Sequence, residues 1–153
     1  MLELKKISTP EELGHCHRIR LEVFVHDQKV PVAEEFDDSD KGCEHYLLWN
    51  DTVPVGTVRV RSSESYIKIE RVAVLKAYSG KGYGTEMMSQ LLTELQKDPT
   101  RHLFKLGAQT RVIPFYEKFG FAAFGEEYLD GGIPHKNMTL DTHLIPTLSG
   151  IKC

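Results

Sequence analysis

The chain has 153 residues, 41% of them hydrophobic and 27% charged, which is enough to bury one core and indicates a single globular domain over residues 1–153. Its 19 basic and 22 acidic side chains give a net charge of −3, so no basic excess favours a nucleic-acid partner. No apolar run approaches the roughly 20 residues that span a bilayer, and no apolar signal segment follows Met1, so we expect no membrane partner.

The three cysteines, Cys16, Cys43 and Cys153, are odd in number and far apart in the sequence. This usage is typical of a reducing compartment rather than of a disulfide framework. We therefore expect a cytoplasmic location, with the nucleus as the open alternative.

The first predicted element is a helix that begins at a capping box. Thr9 is its N-cap, Pro10 occupies the first helical position, and Glu12 can bond back to the N-cap backbone. Apolar side chains recur at helical spacing from Leu13, so the helix is predicted to run to about Val25.

An acidic run follows where the helical pattern is lost. Its members are Glu34, Glu35, Asp37, Asp38 and Asp40. Such a run is most often a solvated loop. The functional alternative is a patch that attracts a cationic substrate.

Three strands are predicted next, at residues 45–49, 53–61 and 66–74. The apolar residues of the third strand lie at Ile67 and Ile69 and then, with the opposite parity, at Val72 and Val74. Side chains alternate between the faces of a strand, so this change predicts either a one-residue bulge near residues 70–71 or burial of both faces. A bulge would separate this strand from its neighbour and leave backbone groups for a ligand.

The remaining elements complete a mixed α/β fold. A glycine-rich turn at residues 79–84 precedes a helix with an apolar stripe, whose members are Met87, Met88, Leu91, Leu92 and Leu95. After it come a strand, a short helix and a closing pair of strands, at residues 103–109, 112–119, 121–124 and 137–140. The weakly patterned tail, residues 141–153, is expected to be loosely held. This order predicts a central, largely antiparallel sheet.

The turn at residues 79–84 carries the most chemical information. Its glycines let backbone N–H groups converge, and the following helix leaves its first N–H groups unpaired, so the place suits a phosphate or pyrophosphate. A P-loop does not fit, because its Gly-Lys pair must be followed by Ser or Thr, whereas Gly82 follows Gly80-Lys81. A dinucleotide fingerprint does not fit either, because a five-residue link separates the strand from the turn. The pyrophosphate loop of acyl-coenzyme A enzymes remains.

Here the sequence resembles the GNAT superfamily of acetyl-CoA-dependent N-acetyltransferases. In that family a strand is followed by Arg/Gln-x-x-Gly-x-Gly/Ala at the start of a helix, and Gly82 and Gly84 match its two glycines. Ser79 departs from the Arg or Gln of the first position. The segments FVHDQKVP, GTVRVR, IERVAV, FYEKFGF and GIPHKNM resemble the small stand-alone ElaA-like branch.

The resemblance implies how acetyl-CoA, the expected cofactor, would be held. The sheet would be splayed between its fourth and fifth strands and flanked by helices. The backbone of one strand would pair with the pantetheine arm, the glycine turn would hold the pyrophosphate, and the end of the next strand would line the other side of the gap. The residues concerned are Val72, Ala73 and Val74, then Ser79, Gly80, Lys81, Gly82, Tyr83 and Gly84, and finally Gln109.

Acetyl transfer to an amine needs a base and an acid, and the resemblance implies candidates for both. Glu70, beside the predicted bulge, is the first choice for the base, and the open alternative is a strand carboxylate paired with neighbouring arginines. Tyr116 matches the tyrosine that the family places near the sulfur, and the alternative is a packing residue.

The acceptor is expected to be a primary amine on a small molecule or peptide. Arg59 and Arg61 lie two apart on one strand and could bind an anionic acceptor, whereas the acidic run favours a cationic one. His135 is a candidate acceptor ligand or second base, with an ordinary loop histidine as the alternative. The sequence does not rank these signals.

No metal site is predicted, because the two histidines of His15-Cys16-His17 lie about 200° apart on a helix. Two readings of function other than catalysis stay open. One is a non-catalytic, regulatory module that binds acyl-CoA with the same fold, and the other is a nucleotide-binding protein that does not use CoA. Many members of the family dimerise, which leaves a homodimer open as well.

Overall fold

A computed structural model of the protein describes residues 1–36 and 39–143. Predictions that concern Asp37, Asp38, Cys153 or residues 144–153 lie outside the described residues. None of the helices in the described part has the length and apolar character needed to cross a membrane.

Within the described residues, seven strands form one sheet. They are β1 (Leu2–Lys6), β2 (Glu44–Asn50), β3 (Val53–Ser62), β4 (Ile67–Val74), β5 (Leu103–Gln109), β6 (Ala122–Asp130) and β7 (Ile133–Asp141). Their order across the sheet is β1-β2-β3-β4-β5-β7-β6, and each neighbouring pair is antiparallel except β4 and β5, which are parallel. The predicted mixed α/β fold with a mostly antiparallel sheet is confirmed.

The described helices pack on this sheet. They are α1 (Pro10–Arg20), α2 (Val32–Glu35), α3 (Tyr83–Leu95) and α4 (Ile113–Glu117). The predicted capping box of α1 is confirmed, because Thr9 Oγ1 accepts from the Glu12 N–H at 3.1 Å and the Glu12 carboxylate accepts from the Thr9 N–H at 3.2 Å. The α-helix ends at Arg20, and the chain continues as a π-helical segment, Leu21–Asp27, rather than as one regular helix to Val25.

Each face of the sheet has its own apolar cluster. The five residues of the predicted apolar stripe of α3 are all buried against one face, as the helical spacing predicts. On the other face, Cys16 and Ile19 of α1 pack with Leu47 of β2 and Ala73 of β4. Strand β4 is therefore covered on both sides, and its side chains are divided between the two clusters.

Strand β4 has the bulge that the parity change predicts. Ala73 pairs with Thr57 and Glu70 pairs with Arg59, so Arg71 and Val72 together lie opposite a single residue of β3. Arg71 has φ 54°, in the left-handed region that bulges use to insert an extra residue.

The bulged half of β4 is separated from β5. These two parallel strands pair only at Ile67 with Phe104 and at Lys68 with Lys105. Beyond those positions the strands diverge, which confirms the predicted splay between the fourth and fifth strands. The divergence leaves an opening in the middle of the sheet.

The two edge strands differ from the expectations drawn from sequence. Strand β1 is not predicted, and β6 and β7 have nine residues each instead of a short closing pair. Strand β1 alternates Leu2 and Leu4 with charged residues over only five residues, and β6 is almost entirely exposed, so neither gives a strong strand pattern. Gly131 and Gly132, with φ 60° and 78°, make the tight turn that joins β6 to β7.

Candidate active site

The opening between β4 and β5 leads into a cavity of about 540 Å³. Its walls come from the bulged half of β4, the end of β5, the glycine turn, the segment around the π-helix, and the hairpin of β6 and β7. Ten of the fifteen predicted site residues, from distant parts of the sequence, line this cavity.

The glycine turn presents unpaired backbone donors to this cavity. Gly80 and Gly82 have φ 74° and 83°, which only glycine adopts without strain, and Gly82 is the N-cap of α3. Across the described residues, no hydrogen bond occupies the N–H groups of residues 80–85. The turn can therefore offer several N–H groups and the positive end of a helix to an anion.

The other predicted cofactor residues divide into two groups. Val72, Val74 and Gly84 line the cavity, as do Ser79, Gly80 and Gly82. Ala73 is on the opposite face of β4, where its side chain is buried in the α1 cluster.

Three side chains of the turn do not reach into the cavity. The Ser79 hydroxyl donates to the Lys76 carbonyl at 2.8 Å, inside the turn itself. Tyr83 stacks on Tyr78 at 5.5 Å, and Lys81 is exposed and absent from the cavity wall. Lys81 and Tyr83 themselves are absent from the cavity wall, so a role for them in binding the pyrophosphate rests on their backbone N–H groups and stays a prediction.

Gln109 connects the two sides of the cavity. Its Nε2 donates to Gln28 Oε1 at 2.8 Å, and its Oε1 accepts from Arg111 at 3.0 Å. Nearby, Val30 lies against the hairpin so closely that a Cβ on Gly131 would be 3.1 Å from Val30 Cγ2. These contacts join the segment after the π-helix to the end of β5 and to the hairpin.

Glu70 lines the cavity but is held by three cations. Its carboxylate lies 2.9 Å from an Nη of Arg59, 3.2 Å from one of Arg61 and 3.5 Å from Lys68 Nζ. Burial raises the pKa of Glu70, but the charges of these cations outweigh it and leave the pKa below its usual range. A carboxylate so stabilised is a weak base, and its geometry favours the ion-paired alternative that the sequence left open.

Arg59 and Arg61 do share a face of β3, but they do not line the cavity. Arg59 is 2% exposed and donates to Asp40 as well as to Glu70. Arg61 donates to Glu70 and to the Ser39 carbonyl. The predicted role of these arginines in binding an anionic acceptor is therefore corrected, because their guanidinium groups are committed to protein acceptors.

Two of the three described members of the acidic run are ion-paired rather than freely solvated. Glu35 is 3% exposed and lies 2.7 Å from Arg20 Nε and 2.9 Å from Arg71 Nε. Asp40 accepts from Arg20 and Arg59 at 2.8 Å each, and from His17 at 2.9 Å. Of the described members of the run, only Glu34 is exposed and faces the cavity without an ion pair.

We predict that Asp40→Asn destabilises the protein fully at pH 7 and progressively less as the pH falls below the unfolded-state pKa of about 4. Burial raises the pKa of Asp40, but hydrogen bonds from Arg59 and Arg20 lower it well below its usual range. A depressed folded-state pKa contributes stability above the unfolded-state value, and that stability is lost as the pH falls. Charged hydrogen bonds contribute about 1.5–3 kcal/mol, so urea unfolding at pH 7 should show a loss of that order.

The matched control for this prediction is Asp51→Asn. Asp51 is exposed and paired only with the N-terminal amine in the described structure, so its loss should change the stability by less than about 1 kcal/mol. An Asp40 variant whose loss of stability did not shrink at all as the pH fell below the unfolded-state pKa of about 4 would contradict the ion-pair account.

Tyr116 is 7% exposed and lines the cavity from α4. Its ring packs edge-on against Phe115 and Phe121, at centroid distances of 5.0 and 6.1 Å. Burial raises the pKa of Tyr116 well above its usual range, so the phenol keeps its proton at neutral pH. A hydroxyl that stays protonated can donate a hydrogen bond to a departing anion, although burial also makes it a weaker acid.

His135 also lines the cavity, from the third residue of β7. It is 9% exposed, and its Nδ1 lies 2.6 Å from the Ile133 carbonyl oxygen. Its ring stacks on that of Tyr128 at 5.8 Å, with 25° between the planes. The alternative of an ordinary loop histidine does not fit this position, because His135 lies within β7 and is buried.

Several residues that line the cavity are not among the predicted site residues. Phe24, Gln28 and Val30 lie in or after the π-helix, where the helical periodicity fades, and Arg111 lies in the turn before α4. Their placement depends on chain segments that meet only in the folded protein.

One side-chain group away from the cavity has donor atoms for a metal. His102, Asp141 and His143 place their ligating atoms within 4.8 Å of one another. However, the two imidazoles are stacked at 3.8 Å with 7° between their planes, so no single ion can lie in both ring planes as imidazole ligation requires. The hydrogen bond between His102 Nδ1 and Asp141, at 3.1 Å, accounts for the arrangement.

Comparison with known proteins gives consistent matches along the chain. The Acetyltransferase (GNAT) domain family matches residues 7–142. The Bacillus subtilis protein named Uncharacterized N-acetyltransferase YjcF is 39% identical over 132 residues, which cover 86% of this chain and 94% of that protein.

Solved structures with the same fold are also similar. The crystal structure of Escherichia coli ElaA has a TM-score of 0.81 and 28% identity, and covers 91% of this chain and 99% of that chain. A GNAT family acetyltransferase from Elizabethkingia anophelis, solved with acetyl-CoA bound, has a TM-score of 0.68 and 15% identity over 92% of this chain and 97% of that chain.

Proposed function

The chain belongs to the GNAT acetyltransferase family, and on this premise we propose that it moves an acetyl group from acetyl-CoA directly to a primary amine of a small molecule or peptide. The observation that carries the proposal is the set of unbonded N–H groups at residues 80–85, beside the opening between β4 and β5. The bound acetyl-CoA of the Elizabethkingia neighbour supports the same acyl donor here.

The backbone of the glycine turn would hold the donor's pyrophosphate. An N–H bond to a charged oxygen contributes about 1.5–3 kcal/mol, so a few of them can hold a diphosphate on a protein with a net negative charge. Val72 and Val74 face the cavity at the point where β4 leaves β5, and they would line the pantetheine arm. The residues present therefore fit acetyl-CoA as a substrate.

The chemistry requires an uncharged amine and a proton for the leaving thiolate. An alkylammonium has a pKa near 10.4, so forming the neutral amine at pH 7 costs roughly 4–5 kcal/mol. Tyr116 would donate its phenolic proton to the thiolate as the tetrahedral intermediate collapses. Of the two predicted catalytic residues, Tyr116 keeps its proposed role, whereas the ion pairs of Glu70 favour a structural one.

The direct test is binding followed by turnover. We expect isothermal titration calorimetry to show acetyl-CoA binding and a thiol reagent to detect free CoA when an acceptor from an amine library is added. Absence of acetyl-CoA binding would refute the proposal. Binding without transfer to any amine would instead indicate the non-catalytic acyl-CoA-binding module, and equal binding of adenine nucleotides would indicate a nucleotide-binding protein.

The cavity wall carries charges of both signs, and its exposed carboxylates favour a cationic amine. Lys68 and Arg71 are paired with Glu70 and Glu35, and Arg111 donates to Gln109. Glu34 and Asp130 are exposed on the cavity wall and have no ion pair with any described residue. These carboxylates can attract the second ammonium of a diamine. The order of preference is therefore diamine over an amine that carries phosphate.

We predict that the double variant Glu34→Gln, Asp130→Asn raises KM for 1,4-diaminobutane about threefold to tenfold, because each exposed charge contact contributes about 0.2–1 kcal/mol. The kcat value and the KM for benzylamine, which lacks a second charge, should change less than twofold. Glu64→Gln, an exposed carboxylate outside the cavity, is the control. Equal effects on both amines would exclude recognition of a second cation.

A further inference from the structure

His135 has a defined position relative to the opening in the sheet. It lies at the start of β7 and pairs in register with Gln109, the last residue of β5. Because β5 forms one wall of the opening, His135 faces the cavity from the side opposite the bulge of β4. Its side chain is nine-tenths buried there.

The hydrogen bond of His135 determines which ring nitrogen carries the proton. The partner of Nδ1 is the Ile133 carbonyl oxygen at 2.6 Å, and a carbonyl oxygen can only accept. Nδ1 therefore holds the hydrogen, and in the neutral ring the lone pair is on Nε2. No hydrogen bond from the described residues occupies Nε2.

The ring is also held in orientation. It stacks on Tyr128, whose hydroxyl donates to Asn137 Oδ1 at 2.8 Å. A base works best when its lone pair is fixed in direction before the substrate arrives, and this stack supplies that constraint.

The buried carboxylates of the cavity are less suited to accept a proton. Glu70 is paired with Arg59, Arg61 and Lys68, and Glu35 is paired with Arg20 and Arg71. Each carboxylate thus has cations beside it, and although burial raises the pKa of Glu35, its Oε2 already accepts from Arg20. The other carboxylates of the cavity wall, Glu34 and Asp130, are exposed to solvent.

We infer that Nε2 of His135 is the base that removes the proton from the acceptor ammonium. This inference rests on the proposed function. The acceptor ammonium gives one proton to Nε2, and the resulting amine lone pair forms the C–N bond with the thioester carbonyl carbon. The C–S bond breaks as the intermediate collapses, and the thiolate takes the proton of Tyr116.

The remaining protons are transferred through the same two side chains, Tyr116 and His135. The new amide nitrogen loses its second proton to the Tyr116 phenolate, and the imidazolium of His135 releases its proton to solvent. One ammonium and one thioester thus give one amide, one thiol and one free proton.

The experiment uses two variants of the full chain with acetyl-CoA and the best acceptor from the library. His135→Asn keeps an N–H donor for the Ile133 carbonyl but has no basic nitrogen, and His135→Ala leaves space for a small base. We expect kcat to fall about 100-fold in both, as loss of a general base typically gives, with the Kd for acetyl-CoA changed less than twofold. Added imidazole should restore the rate of His135→Ala in proportion to its concentration.

A matched control is His143→Ala, which removes an exposed histidine outside the cavity and should keep its kcat. Ring nitrogen NMR of the wild-type protein gives a readout apart from activity, and for the neutral ring we expect the hydrogen on Nδ1. A kcat in His135→Asn within threefold of wild type, a hydrogen on Nε2, or a loss in His135→Ala that imidazole does not restore would each overturn the inference. Lack of transfer by the wild-type protein would instead refute the proposed function.

Discussion

Gly82→Val should raise the Kd for acetyl-CoA by at least about 100-fold. Gly82 has φ 83° at the N-cap of α3, and a β-branched residue cannot adopt that conformation without strain. Relief of the strain would rotate the N–H groups around it away from one another. Loss of two bonds of about 1.5–3 kcal/mol each corresponds to a change of this size or larger.

The control for Gly82→Val is Gly42→Val. Gly42 has φ 77° in a loop outside the cavity, and no heavy atom lies within 4 Å of a Cβ built on it, as is also true of Gly82. The two substitutions therefore impose similar backbone strain, and thermal unfolding should show similar losses of stability. Calorimetry should give a changed Kd for the Gly82 variant alone. A Kd within threefold of wild type in the Gly82 variant would contradict the role of the turn.

Tyr116→Phe should lower kcat by about 100-fold to 1,000-fold, the range typical for loss of a general acid. Phe keeps the edge-on contacts with Phe115 and Phe121, so the cavity wall and the Kd for acetyl-CoA should be preserved. The measurement is the rate of thiol release at saturating acetyl-CoA and acceptor.

Tyr46→Phe is the matched control for Tyr116→Phe. Tyr46 is 5% exposed, and burial raises its pKa to about 12, but it lies outside the cavity. Removal of the Tyr46 hydroxyl should change kcat less than twofold. If both variants turned over at the wild-type rate, Tyr116 would be a packing residue, the alternative that its sequence context left open.

The parts of the site that the sequence predicts are those set by local rules. The parity change from Ile69 to Val72 predicts either a bulge or burial of both faces, because side chains alternate strictly along a strand. The glycines at 80 and 82 predict a turn with free donors because glycine lets the backbone turn tightly, and their observed φ values of 74° and 83° agree. Neither conclusion requires knowledge of what lies across the sheet.

The parts that the sequence does not predict depend on partners distant along the chain. Arg59 meets Asp40 across 19 positions, and Gln109 meets Gln28 across 81. No periodicity records such pairs, so the two strand arginines resemble an anion site until their carboxylates are located. The acidic run resembles a solvated loop for the same reason.

The central claim is that the backbone N–H groups of residues 80–84 receive the pyrophosphate of acetyl-CoA. The most direct measurement is a titration of the ¹⁵N-labelled protein with CoA, followed by amide NMR. We expect the amide signals of Gly80, Gly82 and Gly84 to move downfield and to saturate with the Kd that calorimetry gives. Saturation of binding with those signals unmoved would contradict the claim.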